Sequence, residues 1–231
     1  MIEQLLPASV VAVETFAHDD TAEAALYPEE AALVAGAVPK RRREFATVRV
    51  CARAAMEGLG VPPRPVLPGE RGAPGWPDGL LGSMTHCEGY AAAALAREGD
   101  LVSLGIDAEP HGPLPEGVLE AVALPAERDR LTRLAALRPG LHWDRLLFSA
   151  KESVYKAWFP LTRAWLDFSE ADIDLVPDPG TDPGPGASSG TLRAELLVPG
   201  PLVAGRRLTH FEGRWTVQRG LATTAVVVPP V

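Results

Sequence analysis

Apolar residues recur at helical spacing in two long stretches of the chain and alternate or cluster as strands elsewhere. Over residues 39–59, Phe45, Val48, Ala52 and Met56 fall three or four apart, which predicts a helix with one apolar face. Gly58, Gly60 and then Val61-Pro-Pro stop it. A second, clearer helix spans residues 142–159, where Leu147, Ala150, Val154 and Trp158 form the apolar stripe. On that helix Arg145, Ser149, Glu152 and Lys156 fall within a sector of about 60° at roughly 100° per residue. The sector lies mostly off the stripe, so the helix packs one side and offers another to a cleft. Residues 124–137 predict a further helix.

Strand signals fill most of the remainder. Residues 10–13 read as a strand, followed up to residue 38 by short acidic helical stretches. Residues 90–95 are an apolar run that fits a strand or a short helix, after the segment Gly82-Ser-Met-Thr-His86. Residues 101–107 look like its neighbouring strand, with Gly99-Asp100 as the hairpin turn. Residues 191–198, 208–211, 215–218 and 222–228 read as an antiparallel meander. Residues 65–77 and 177–190, rich in Pro and Gly, read as a loop and a linker. Pro110 and the Gly/Pro-rich residues 112–117 give the best internal boundary, dividing the chain into halves 1–110 and 111–231. Both halves share a rough order of helix followed by strands, a faint sign of duplication.

Composition narrows the function. A chain of 231 residues suffices for one large or two small domains with an ample core. Its net charge of −8 argues against general binding to nucleic acid or anionic membrane. Yet Lys40-Arg41-Arg42-Arg43, with Arg49 and Arg53, is a local cationic cluster. It opens a helix, where cations oppose the dipole. A bound anion would relieve that repulsion and use the free N–H groups; a solvated first turn is the plain alternative. The N-terminal residues have neither a basic region nor an unbroken apolar one, and no run is long enough for a membrane span, so a cytoplasmic protein is expected. Cys51 and Cys87 lack metal-ligand spacing and are expected to be buried free thiols.

The chemistry concentrates in two motifs. Gly105-Ile-Asp-Ala-Glu-Pro110 puts Asp107 and Glu109 on one face at the end of an apolar strand. Phe148-Ser-Ala-Lys-Glu-Ser-Val-Tyr-Lys-Ala157 puts Glu152 and Lys156 side by side on a helix. Three carboxylates and one amine suit a magnesium ion shared with a polyphosphate. Taken singly, the first motif is equally a solvated strand end and the second a surface ion pair. Arg71 and the Thr85-His86 pair are further candidates for anion contact, although a lone histidine is more often structural. Lys151 and Tyr155 are ambiguous.

Together these segments resemble the 4′-phosphopantetheinyl transferases of the surfactin-synthetase-activating type, especially the actinobacterial subgroup serving polyketide and nonribosomal peptide synthases. The matching residues are Gly105-Ile-Asp-Ala-Glu-Pro-His111, His142-Trp-Asp-Arg145, Phe148 through Pro160, Arg41 through Arg53, and Gly82-Ser-Met-Thr-His-Cys87. The resemblance covers about residues 39–170 and extends less specifically to the C-terminus. One departure is Phe148, where many members carry Trp; the aromatic character is kept.

The resemblance implies an α+β fold of two similar α/β halves in a pseudo-twofold arrangement, each with a small antiparallel-rich sheet and a long helix, and coenzyme A in the cleft between them. It implies Asp107, Glu109, Glu152 and the Ala108 backbone as magnesium ligands, with Lys156 on the pyrophosphate. Arg41, Arg49, Gly69, Glu70, Arg71, Thr85 and His86 would hold the adenosine and 3′-phosphate end; Arg42, Arg43 or Arg53 could replace Arg41. The implied activity is magnesium-dependent transfer of 4′-phosphopantetheine to a serine of an apo acyl or peptidyl carrier protein. Glu152, directly or through a water, would accept the serine proton, with Asp107 and Lys156 completing the catalytic set, and 3′,5′-ADP would leave. The nucleophile then belongs to the partner, which agrees with the lack of a Ser-His-Asp constellation here. Such carriers are acidic, as this chain is, so docking would need a local basic or apolar patch. A monomer is expected because both halves share one chain. A magnesium-dependent phosphoesterase acting on a nucleotide, or a non-catalytic coenzyme A-binding module, are the alternatives.

Overall fold

The computed structural model describes residues 1–16, 21–180 and 188–230. Among the described residues, five α-helices and ten strands occur in the order β1 (Val11–Thr15), α1 (Pro28–Val34), α2 (Pro39–Gly58), β2 (Leu80–Cys87), β3 (Tyr90–Arg97), β4 (Ser103–Pro110), α3 (Val118–Val122), α4 (Pro125–Leu137), α5 (Trp143–Thr162), β5 (Ala171–Pro177), β6 (Ser188–Leu196), β7 (Leu202–Val203), β8 (Arg206–Arg207), β9 (His210–Gln218) and β10 (Leu221–Val228). The strands form an antiparallel sheet β1-β3-β2, an antiparallel sheet β4-β10-β9-β6-β5, and the small hairpin β7-β8. The molecule is thus a mixed helix-and-sheet fold with antiparallel sheets.

β3 shows why the first sheet sits where it does. Its run of alanines has helical propensity, but tertiary packing overrides that preference. Successive side chains point to opposite faces. Ala91, Ala93 and Leu95 join Val48, Ala52, Ala55 and Met56 of α2. Tyr90, Ala92, Ala94 and Ala96 join Leu104, Ile106 and Ala225 on the other side. Small side chains let helix and second sheet both approach the strand closely.

β4 departs from the expected hairpin. The turn is marked by a bridge between Glu98 and Leu101 and by the Asp100 amide on the Arg97 carbonyl at 3.1 Å, with no ladder beyond it. Both edges of β3 are taken, by β1 and β2, whereas β10 offers β4 a full ladder from Ser103↔Val228 to Leu221↔Pro110. β4 therefore belongs to the five-stranded sheet although it precedes Pro110. On its other edge it meets β2 through side chains: the Ile106 and Ala108 amides donate to Ser83 Oγ and Thr85 Oγ1, each at 3.1 Å.

α5 lies on this second sheet. Its stripe residues Leu147, Ala150, Val154 and Trp158 enter a core with Leu192, Phe211, Trp215 and Val226. Trp143 meets Trp215 edge-on, with centroids 5.4 Å apart. Where the helix crosses β4, a Cβ on Gly105 would run into the Ser153 carbonyl oxygen. Glycine is required there for the close approach. Ser103 Oγ donates to the Ala157 carbonyl at 2.7 Å beside it. Ser149, expected in the cleft sector, instead turns to β10 with Ser153, and both hydroxyls bond Thr224 Oγ1.

Other differences are local. β5 was not expected, although Ala171, Ile173 and Leu175 are buried in alternation with more open Asp172, Asp174 and Val176. Residues 208–211 and 215–218 belong to one region in which β9 runs unbroken, because Gly213 lets β10 pack against it closely. β6 begins at Ser188, inside the expected linker; residues 181–187 of that linker lie outside the described residues. Cys51 is a buried free thiol as expected, but Cys87 is only partly buried because it ends β2 at the sheet margin.

Candidate active site

A cleft of about 1050 Å³ runs between α2, the loop 68–76, β2 and α5. Arg41, Arg49, Gly69, Arg71, His86, Glu152 and Lys156 of the expected site line it. Arg163 adds a further cation that the sequence reading missed. It caps the C-terminus of α5 in a left-handed conformation, which helical spacing alone does not place in the cleft. A cleft this rich in guanidinium groups, in a chain of net charge −8, concentrates positive potential where a polyanion would sit.

The arginines divide by partner. Arg41 is half exposed and donates to His86 Nε2 at 2.8 Å, while Glu44 faces His86 Nδ1 at 3.8 Å. Arg49 is buried; it donates to the Val66 and Phe45 carbonyls and stacks 3.2 Å from the Phe45 ring. Burial pulls its guanidinium down to about 10 against the opposing pull of Glu30, so it stays charged at neutral pH. Arg42 turns to Glu23, and Arg53 to Glu30 and the Ala25 carbonyl. Glu30, fully buried, also accepts from the Tyr27 and Val66 amides. Its bond to the Tyr27 amide is local, but its burial depends on Arg53 and Val66, which lie far along the chain.

Arg71 and Arg163 both hold left-handed backbones, with φ of 53° and 56°. Such strain in non-glycine residues concentrates at functional sites. Arg71 sits 6.0 Å from the Trp165 ring and Arg163 5.8 Å from Phe159. Glu70, in the same short turn as Arg71, is exposed beside the cleft. A smaller recess of about 90 Å³ shares Glu152 and Tyr155 with the cleft and is closed by Trp165, Leu166 and Phe168.

The acidic motif lies just under the wall. Lys156 Nζ reaches Asp107 Oδ1 at 2.7 Å and the Ile106 carbonyl at 3.0 Å. Thr85 Oγ1 donates to the same Asp107 oxygen at 3.2 Å. Asp107 is 5% exposed, and its Oδ2 is buried without a hydrogen-bond partner. Ala108 sends its amide to Thr85, and in a strand its carbonyl points to the same edge. Glu109 is half-buried and accepts from Arg145 Nη1 at 3.0 Å; Arg145 also donates to the Gly112 and Pro113 carbonyls. Lys151, beside Glu152 in sequence, points the other way into a buried pair with Glu127 at 2.8 Å.

The charges behave as a cluster. Burial raises the Glu152 carboxyl, and the Asp107 charge adds to this while Lys156 opposes it. Burial and Asp107 likewise raise Glu109, against Arg145 and Lys156. Burial pushes the Cys87 thiol up to about 12, with Glu109 and Asp107 contributing. Among the described residues no three His, Cys, Asp or Glu side chains converge enough to enclose a metal ion. Magnesium, however, is usually held by one or two carboxylates together with substrate phosphates. The unpartnered Asp107 oxygen, beside the two glutamates that the Asp107 charge raises, fits such a partly open site.

Comparison with known proteins agrees. The family model described as "4′-phosphopantetheinyl transferase N-terminal domain" matches residues 29–96, and that of the "4′-phosphopantetheinyl transferase superfamily" matches residues 103–188. The chain is 60% identical over 230 residues to 4′-phosphopantetheinyl transferase Svp of Streptomyces mobaraensis, covering 99% of this chain and 89% of that one. It is 47% identical to PptT of Mycobacterium tuberculosis (99% and 98% covered) and 49% identical to Npt of Nocardia iowensis (98% and 99% covered), both also named 4′-phosphopantetheinyl transferases. With two adjoining family models matched and such relatives aligned nearly end to end, the chain belongs to the 4′-phosphopantetheinyl transferase family.

Proposed function

We propose that this chain binds coenzyme A in the cleft and transfers its 4′-phosphopantetheine arm to a serine hydroxyl of apo acyl and peptidyl carrier proteins, releasing 3′,5′-ADP. The observation that carries this reading is the meeting of Asp107, Lys156 and Glu152 beside a cleft lined by Arg41, Arg49, Arg71 and Arg163. Arg41, His86 and the Gly69–Arg71 turn receive the adenosine and 3′-phosphate end. Lys156 Nζ neutralises a pyrophosphate oxygen. Glu152 accepts the proton from the carrier serine as its oxygen forms the new P–O bond and the bridging P–O bond breaks. A magnesium ion, held by Asp107 Oδ2 with Glu109, Glu152 and the Ala108 carbonyl, would supply charge neutralisation at the pyrophosphate. Arg145 opposes the burial and the Asp107 charge that raise Glu109, and ties that carboxylate to the loop after β4.

The finer assignments rest on the same ground. We place the chain in the surfactin-activating type, because both halves occur in one polypeptide. A pseudo-twofold relation of halves 1–110 and 111–231 is supported by the repeat of a long helix on an antiparallel sheet, α2 on the first and α5 on the second, with β4 reaching across. We take the protein to be cytoplasmic and monomeric, without nucleic-acid partners; no helix among the described residues is long and apolar enough to cross a membrane. Incubation with coenzyme A, magnesium and apo carrier proteins should add one phosphopantetheine mass to the carrier. Absence of the gain across fatty-acid, polyketide and peptide carriers would refute the proposal.

A further inference from the structure

β2 and β4 lie side by side with no backbone ladder between them, and two hydroxyls on β2 do the joining. Ser83 Oγ takes the Ile106 amide and Thr85 Oγ1 takes the Ala108 amide, both at 3.1 Å. The two are not equivalent. Thr85 also gives its single hydroxyl proton to Asp107 Oδ1 at 3.2 Å, whereas Ser83 makes no contact with that carboxylate. Thr85 is 4% exposed and its donor is spent inward, which leaves no proton to offer an anion in the cleft. Asp107 Oδ1 is thereby held from two sides, by Thr85 and by Lys156, and the carboxylate plane is set. Oδ2 is the oxygen left buried and unpartnered.

We propose that Thr85 is a positioning residue for the transfer reaction: it fixes Asp107 so that Oδ2 faces the divalent cation shared with the pyrophosphate. The proposal rests on Asp107 being a metal ligand. It replaces the expected anion contact of Thr85 with a role through another residue. It also explains why the motif carries a hydroxyl at this position: Lys156 is a long, flexible side chain that turns to phosphate when substrate binds, and the Thr85 hydrogen bond remains to hold the carboxylate. Partners of this kind, one step behind a ligand, commonly change metal affinity ten- to a hundredfold when removed.

The test uses Mn2+ as the metal, titrated by electron paramagnetic resonance in the presence of coenzyme A, against the full chain and three variants. Thr85→Val should weaken Mn2+ about tenfold or more and lower kcat, with little change in KM for coenzyme A. Thr85→Ser should restore both. Ser83→Ala, which removes the sister bond of the seam, should lower thermal stability but keep Mn2+ affinity close to that of the parent. If Thr85→Val is too unstable, Thr85→Cys, the thiol counterpart of the serine variant and a poor hydrogen bonder, should show the same loss in smaller degree. Parental Mn2+ affinity in Thr85→Val or Thr85→Cys, an equal loss in Ser83→Ala, or no rescue by serine would overturn the positioning role. Failure of the parent itself to bind Mn2+ with coenzyme A would instead overturn the metal reading beneath it.

Discussion

At the scale of single residues, the site works by setting Glu109 and Glu152 in partial burial near the Asp107 charge. Burial and the Asp107 charge hold Glu152 above the ordinary carboxylate value of 4.5, with Lys156 pulling the other way. A base acts only when deprotonated, so activity is lost as pH falls through that raised value. The profile of kcat/KM for coenzyme A, which reports the free enzyme, should therefore show an acidic limb with an apparent pKa above 4.5; a limb at or below it would remove Glu152 from the role. Asp107→Ala should abolish transfer while circular dichroism and cooperative melting persist, and full retained activity would exclude Asp107 from the site. The carboxylates were legible in the sequence because adjacency in one strand and one helical turn fixes their company. Thr85 stands out as a candidate for anion contact, but its bond to Asp107 does not, and Glu30 does not stand out at all, because these depend on partners far along the chain: Asp107 for Thr85, and Arg53 and Val66 for Glu30.

At the scale of elements, α5 organises the second half through its contacts on both sides. Gly105→Ala would force the helix off β4 at the Ser153 carbonyl, and overpacking of this kind costs about 1–3 kcal/mol. Because Lys156 and Glu152 ride on that helix, the variant should lose transfer rate as well as melting temperature; unchanged values of both would contradict the close-approach account. Lys151 tests the opposite face. Its ammonium is buried with Glu127 and bonds the Phe168 and Ala171 carbonyls, so Lys151→Met alone should cost about 3–5 kcal/mol in denaturant unfolding. Adding Glu127→Gln should recover part of that loss, and no recovery would argue that the pair is not coupled. Helical periodicity made α2, α4 and α5 legible to within a few residues. The pairing of β4 with β10 was not, because strand partners more than a hundred positions apart leave no local mark, and the nearby turn at Gly99-Asp100 suggested a shorter-range solution.

At the scale of the whole molecule, an acidic chain carries a cationic cleft, and the division follows from which arginines are already paired. Arg42 and Arg53 are paired with Glu23 and Glu30, whereas Arg71 and Arg163 lie over aromatic rings and line the cleft. The nucleophile is supplied from outside, so bond breaking in coenzyme A must wait for the partner. That dependence separates a transferase from a phosphoesterase built of the same carboxylates. The most direct measurement follows 3′,5′-ADP release and carrier mass together, with and without apo carrier protein. One 3′,5′-ADP is expected for each phosphopantetheine attached, and essentially none without carrier. ADP released at a comparable rate in the carrier-free reaction would contradict this expectation.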